Sequence, residues 1–547
     1  MLKAILIASL PLVAIYLWHR LVYYRRKQYA DWPQLEPSLA MGHLRAMGRR
    51  IMSSPSDIHV DHVLANIAKD LGNPPLYMMD LRPASYCMAV VCSHEVAEQI
   101  SKSSKPFPYS VTKSPTSRML SQLLGPASIV IAEGEVWKTL RKRFNPGFSH
   151  QHLMTLLPCI LDKTEQFLAN LDRYAASGQD FRLEELCTNL TFDIIGAVTM
   201  DTDLKAQMGE EQQSELVSLF RALVSSYRIK RGRRWAFLDL RVYLTRWSIS
   251  RRLDSLLQDI VREKFTELKH QTDKDSSSRS VLSLSLKEAS EATPALVAQT
   301  SDQLKSFLFA GHDTTSTLLQ WAFYELSRTP RAMQALRAEH DAVLGLDPSP
   351  DVVRKKFLSP TSTTTIAGDE LLRRLPYTAA VIKEILRLYP PAGTARYSSP
   401  GTGFTVRLPD GKNLCLDGVM LYNCHSIIQR DEAVYGPTKD AFMPERWLSA
   451  GDDGSSSVEN NGVSAWRPFE RGPRNCIGQE LATIEARVIL ACVARRYEWE
   501  KVGLGEFSRN AAGELLVQPD GRYAVESEVY NVCCLLYFIH VMSTKRK

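Results

Sequence analysis

The sequence predicts a mainly α-helical protein that opens with an apolar helix. Three observations carry this. A proline-free stretch from about Ser301 to Arg328, closed by Pro330, reads as one long, mostly buried helix. Two more helical stretches follow, Tyr377 to Tyr389, stopped by Pro390 and Pro391, and Gln479 to Arg496. An uncharged run from Ala4 to Trp18 begins the chain.

That first run reads as a membrane anchor over residues 1–24. Leu21 to Tyr24 extends its apolar character past His19 and Arg20. A bilayer span needs about 20 predominantly apolar residues, and long flanking side chains can reach the interface. Tyr16, Trp18, Tyr23 and Tyr24 suit that interface. Arg20, Arg25, Arg26 and Lys27 follow the run, against Lys3 before it, and this bias keeps the rest of the chain cytosolic. A cleaved signal peptide is the competing reading. It lacks a clear small-residue cleavage site and has its charge on the wrong side. Residues 25–50 read as a linker whose prolines are only Pro33 and Pro37.

Length alone, 547 residues, allows three or four domains at roughly 150 residues each. The formal net charge of +7 is too mild to argue for nucleic acid. Ten scattered cysteines, only Cys533 and Cys534 adjacent, fit a reducing compartment rather than a disulfide framework. Ser276–Ser278, Thr361–Thr365 and Gly451–Gly462 read as surface loops.

Four blocks carry chemistry. In the first, Trp137 and Arg141 stand four apart and so share a helix face. In the second, Ala310-Gly-His-Asp-Thr-Thr315 lies inside the long helix. A glycine there costs about 1 kcal/mol relative to alanine, so Gly311 needs a close neighbour to justify it. Thr314 can bond back to a carbonyl one turn earlier or release it for a ligand, and Asp313 is a proton source. The third block, Glu384 and Arg387, pairs three residues apart on one helix face, with Phe442-Met-Pro-Glu-Arg446-Trp447 further on. The fourth is Phe469-Glu-Arg-Gly472-Pro-Arg474-Asn-Cys476-Ile-Gly478. It sets one cysteine in a loop before a helix N-terminus, which favours a thiolate that can bind a metal. Arg474 adds positive charge suited to a carboxylate, and Phe469 can shield the sulfur.

These blocks resemble the cytochrome P-450 family. The last matches the haem-binding loop F-x-x-G-x-R-x-C-x-G at all of its fixed residues, and the others match A-G-x-D/E-T-T, E-x-x-R, P-E-R-F (with Trp447 in place of Phe) and W-x-x-x-R. Because they run in family order from Trp137 to Cys476, one large haem domain over residues 51–547 is expected, with the family's mainly α fold, small β-sheets and an N-terminal transmembrane helix. The resemblance implies that Cys476 is the axial thiolate of haem iron, a ligand that pushes electron density to favour O–O cleavage. It implies that Trp137, Arg141, Arg396 and Arg474 bind haem propionates. It implies that Thr314 hydrogen-bonds dioxygen while Asp313 relays protons. Glu384, Arg387 and Arg446 would form a buried network fixing the cysteine loop. His425 and Gln429 fall where relatives carry H-x-x-x-H-R, and Gln429 departs from that pattern.

The implied function is a monooxygenase that inserts one oxygen atom from dioxygen into an apolar small molecule. Its electrons would come from NADPH through NADPH-cytochrome P-450 reductase, at the endoplasmic reticulum membrane with the catalytic domain cytosolic. The wording of the blocks is most similar to filamentous-fungal members of specialised metabolism, which points to a secondary metabolite. Substrate would be lined by residues 106–125, Phe307, Leu308 and Thr394 to Tyr397. A basic face of Lys138, Arg141, Lys142 and Arg143, with Arg471, Arg474, Arg495 and Arg496, would dock the reductase. Two other readings use the same loop: a haem-thiolate isomerase or dehydratase without reductase, and a non-catalytic haem carrier or sensor. Asp313 and Thr314 speak against the isomerase, and turnover of dioxygen would exclude the carrier.

Overall fold

The computed structural model describes residues 2–55, 58–227, 240–270, 279–362, 365–450, 456–458, 464–529 and 540–545. The chain forms two compact units. The first comprises Met1–Pro115, Gly393–Lys439 and Gly462–Asn475; the second comprises Thr116–Ala392, Asp440–Asn461 and Cys476–Lys547.

The first unit opens with helix α1 (Leu2–Val22). It exposes apolar side chains, among them Leu12, Ile15, Leu17 and Trp18. The helix expected at the start of the chain is present, and among the described residues no helix is long and apolar enough to cross a membrane. Past α1 the chain is held by a buried ion pair. Arg25 donates to Asp80 Oδ2 at 2.7 Å and to the carbonyls of Leu39, Ala40 and Arg82 at 3.0 Å each. Arg82 donates to the other oxygen of Asp80 at 2.9 Å. Burial alone would push the Asp80 carboxyl up, but these guanidinium groups outweigh it and hold it at about 2.

Strands β1 (Leu76–Asp80), β2 (Cys87–Val91), β3 (Thr112–Lys113), β4 (Thr394–Tyr397) and β5 (Met420–Asn423) form one sheet in the order β1-β2-β5-β4-β3. β5 runs parallel to β2 and antiparallel to β4. Every residue of β1 and β2 is buried. Leu76, Met78, Ala89 and Val91 enter one hydrophobic cluster, while Tyr77, Met79, Met88 and Val90 enter another. A strand whose side chains alternate between two cores reads as a continuous apolar run, and this one does.

The second unit is mainly helical. The helices that carry the argument are α2 (Gly134–Phe144), α3 (Leu183–Met200), α4 (Leu240–His270), α5 (Pro294–Arg328), α6 (Pro376–Leu388) and α7 (Gln479–Val493). α5 ends where the sequence predicts but starts seven residues earlier than Ser301. Thr293 caps it by accepting from Leu296 N at 3.2 Å, and Pro294 occupies the first turn, where its missing N–H costs nothing. α3 packs closely along α5. A Cβ on Gly311 would stand 2.7 Å from Ile195 Cδ1, so the neighbour that justifies Gly311 is a side chain of α3.

Mainly α with small sheets is therefore the observed class. Of Thr361–Thr365, expected as a loop, the described Thr361, Ser362 and Thr365 lie in strands, Pro360–Ser362 pairing with Thr365–Ile366. Ser276–Ser278 lies outside the described residues, as do Cys533 and Cys534. Of Gly451–Gly462 only Ser456–Val458 is described, as a strand paired with Leu448–Ala450. The described cysteines are free thiols.

Candidate active site

In the first unit the loop that ends at Asn475 is built around Glu470. Its backbone φ is +57°, a left-handed conformation that a residue with a Cβ adopts only when its surroundings hold it. The carboxylate accepts from Ser101 Oγ at 2.7 Å, Arg467 Nη2 at 2.5 Å and Asn423 Nδ2 at 3.3 Å, and lies 3.0 Å from His425 Nε2. Burial alone would push the Glu470 carboxyl up, but His425, Arg467 and Ser101 outweigh it and hold it well below the usual range. Arg467, itself fully buried, donates its backbone N–H to Gln429 Oε1 at 2.8 Å. So His425 and Gln429 brace the loop that leads to the cysteine. Gly472 follows at φ +75°, and a Cβ there would lie 2.2 Å from the Ser101 carbonyl oxygen, so this turn takes only glycine. Arg474 is buried, and Arg396, at the centre of β4, is fully so.

Cys476 begins the next stretch of the second unit. Its side chain is exposed, and α7 starts three residues later with Gly478 as its N-cap. The helix N-terminus expected beside the sulfur is there. Trp137 and Arg141 lie one turn apart on α2, Trp137 buried. Burial pulls the Arg141 guanidinium below its ordinary value, and the negative charge of Cys476 pushes it back up. The sequence placed these residues 335 positions apart; the fold puts them in electrostatic reach.

α5 carries the block Ala310–Thr315. It is buried from Thr300 to Leu308 and again from Thr315 to Leu326, yet Ala310 between them is exposed and Phe309, Gly311, Asp313 and Thr314 are half-buried. The opening coincides with the block singled out in the sequence. Thr314 Oγ1 donates to the Ala310 carbonyl at 2.7 Å, the back-bond expected of it. His312 points the other way, fully buried between Phe192 and Phe220, with ring centroids at 5.0 and 5.5 Å. Burial drives its pKa down to about 4, so the imidazole is neutral. Phe307 and Leu308, expected to line a pocket, are instead core residues. Phe307 packs edge-on against Phe144 and Phe148 at 5.3 and 5.1 Å.

The expected charge network is present. Glu384 and Arg387 have fully buried side chains and are joined by two bonds of 2.8 Å. Glu384 also accepts from Arg446 Nε at 3.0 Å, Met443 N at 3.0 Å and Trp447 Nε1 at 2.9 Å. The indole explains the departure at Trp447: a phenylalanine has no N–H to give. The basic face is smaller than expected. Arg143 turns inward to Ser285 O and Thr300 Oγ1, Arg471 pairs with Glu98, Arg495 is buried against Asp341, and Arg496 pairs with Asp172. Lys138 and Lys142 stay exposed.

The second unit thus carries a thiol at a helix N-terminus, an arginine in its field, and the Ala310–Thr315 block open in an otherwise buried helix. The cytochrome P450 family model matches residues 59–526, across both units, and the chain belongs to that family, whose members are haem-thiolate enzymes. It is 30% identical over 499 residues to the cytochrome P450 monooxygenase acrF of Aspergillus aculeatus, covering 88% of this chain and 95% of that one. It is 27% identical over 482 residues to the cytochrome P450 monooxygenase polC of Polytolypa hystricis, covering 86% and 82%. Cytochrome P450 4V2 of Homo sapiens is 24% identical over 538 residues, covering 94% and 93%. The chain is thus an enzyme of the P450 monooxygenase family, with the fungal likeness read from its motifs.

Proposed function

We propose that this enzyme binds haem through Cys476 and inserts one oxygen atom from dioxygen into an apolar small molecule, a fungal secondary metabolite, using electrons from NADPH delivered by NADPH-cytochrome P-450 reductase. The observation that carries the reading is the exposed Cys476 thiol at the start of α7 in the field of Arg141. The donor set fits haem: a soft thiolate for the iron and guanidinium groups for its carboxylates. When bound, haem supplies the redox and oxygen chemistry. Trp137 and Arg141 hold a propionate on the cysteine's own unit, and Arg396 and Arg474, buried in the other, carry the same proposed role. Thr314 can release the Ala310 carbonyl and turn its hydroxyl to a ligand at the opening in α5. Asp313, beside it, takes up and passes on the proton. Glu384, Arg387 and Arg446 hold the segment before Trp447 in place. Lys138 and Lys142 steer an acidic reductase surface.

Residues 1–24 are proposed as the attachment to the endoplasmic reticulum membrane, residues 25–50 as the connection, and 51–547 as the haem domain in the cytosol. The apolar, exposed side chains of α1 and the basic residues after it support this. Alkaline extraction checks it: the full chain should stay with the membrane and a chain lacking residues 1–24 should leave it. Equal extraction of both would remove the anchor.

The central test is Cys476→His. The variant is expected to lose the thiolate-type carbonyl spectrum and oxygen insertion while retaining its fold. A variant that keeps the thiolate-type spectrum overturns the assignment of Cys476.

A further inference from the structure

One turn of α5 grips a loop that none of the motifs touches. Asp302 Oδ2 accepts from Ala127 N at 2.8 Å. Gln303 accepts from Ile129 N at 2.7 Å and donates to the Ala127 carbonyl at 2.8 Å, so its amide closes on the backbone at both ends. Ser306 Oγ lies 3.1 Å from the Leu124 carbonyl and 2.6 Å from Ser128 Oγ. The loop backbone comes close enough that a Cβ on Gly125, at φ +84°, would stand 2.2 Å from Asp302 Cγ. Asp302, Gln303, Ser306 and Ser128 are all buried. A third element joins the grip: Lys305 Nζ donates to Asp254 Oδ1 of α4 at 2.7 Å, and Ser250 of α4 donates to the Gln122 carbonyl at 2.8 Å.

We propose that Asp302, seconded by Gln303, is a positioning residue. It latches the end of the short helix Ser121–Leu124 and the loop after it, through Ile129, to α5 and thereby sets the register of α2, which starts at Gly134 and carries Trp137 and Arg141. Three physical points carry this. Backbone N–H groups of a buried loop need acceptors, and α5 provides them at Ala127 and Ile129. A carboxylate taken out of water is kept there only by strong bonds, and Asp302 receives one from a backbone amide beside a buried lysine. The loop leads into α2 with few residues to absorb slack, so loosening it frees the first turn of α2. The consequence for cofactor retention rests on the haem reading above; the latch itself does not.

The experiment uses the full chain and three substitutions. In Asp302→Ala, amide hydrogen exchange at Ala127 to Ile129 is expected to speed up about tenfold to a hundredfold, while exchange in α3 and the β1–β2 sheet stays unchanged. Asp302→Asn keeps an acceptor oxygen and should retain the protection. If Asp302→Ala does not fold, Gln303→Ala, which removes two of the bonds, gives the same local reading. Unchanged exchange at Ala127 and Ile129 in the folded alanine variant overturns the latch. In parallel, transfer of haem to apomyoglobin should be several-fold faster from Asp302→Ala than from Asp302→Asn. Faster exchange with equal haem transfer overturns the positioning of α2. A wild-type chain that takes up no haem refutes the haem reading and leaves the exchange result to decide the latch.

Discussion

Replacing Glu384 by alanine tests the packing logic of the site most sharply. Its carboxylate receives five donors from Arg387, Arg446, Met443 N and Trp447 Nε1 at 2.8–3.0 Å, with no side-chain exposure. The substitution leaves Arg387 charged in a place that water does not reach. Breaking a buried pair by removing one partner costs about 3–5 kcal/mol, which is a large share of the roughly 5–15 kcal/mol that holds a domain together. Arg387 keeps a bond to the Ala441 carbonyl at 3.1 Å, so some solvation of its charge survives and the lower part of the range applies. Equilibrium unfolding in urea, followed by tryptophan fluorescence, should show the loss as a midpoint lower by about 1 M or more. Glu384→Gln keeps the shape and an acceptor but drops the charge, and should fall between alanine and wild type. If Glu384→Ala unfolds within about 1 kcal/mol of wild type, the network is not a structural anchor and the reasoning fails.

Two further outcomes follow from the geometry. Glu470 is held as a carboxylate far below its ordinary pKa, so it binds fewer protons folded than unfolded; its stabilisation is complete above about 4.3 and is lost as pH falls below that, toward its folded value. Glu470→Gln should therefore be less stable than wild type at pH 7, with the difference shrinking as the pH drops below 4 in acid-unfolding curves; a constant gap would count against the pairing. Gly311→Ala must displace Ile195, and overpacking of this kind costs about 1–3 kcal/mol. The double variant with Ile195→Val should recover part of that loss in thermal unfolding; strict additivity would show that α3 is not the neighbour that matters.

The parts of this site legible in the sequence are those written at short spacing. The cysteine loop, the Thr314 back-bond and the Glu384–Arg387 pair all lie within one turn of helix or one loop, where spacing alone decides geometry. The parts that were hidden join distant positions. Nothing near Glu470 announces that Ser101, Asn423 and His425 converge on it, since these contacts depend on how the β5 region and the helix His94–Ser101 fold. Gly311 announced a close neighbour but not its identity, because Ile195 belongs to another helix. Arg143 and Arg495 read as surface charges because composition cannot show which arginines a fold turns inward. Phe307 read as a pocket residue for the same reason: its partners Phe144 and Phe148 come from a separate segment.

The buried Arg25 has a mechanical consequence. A tail joined to its body by a free hinge can swivel, and whatever holds the tail exerts no torque on the body. Here the guanidinium that follows α1 is fastened to Asp80 and to three backbone carbonyls, and Arg82 grips the Tyr24 carbonyl at 2.6 Å. The joint is therefore stiff where the helix ends. A surface that fixes the tilt of α1 also fixes the bearing of the β-sheet unit to which Asp80 belongs, as a bracket fixes a shelf. Arg25→Ala would turn the bracket into a hinge without shortening the arm.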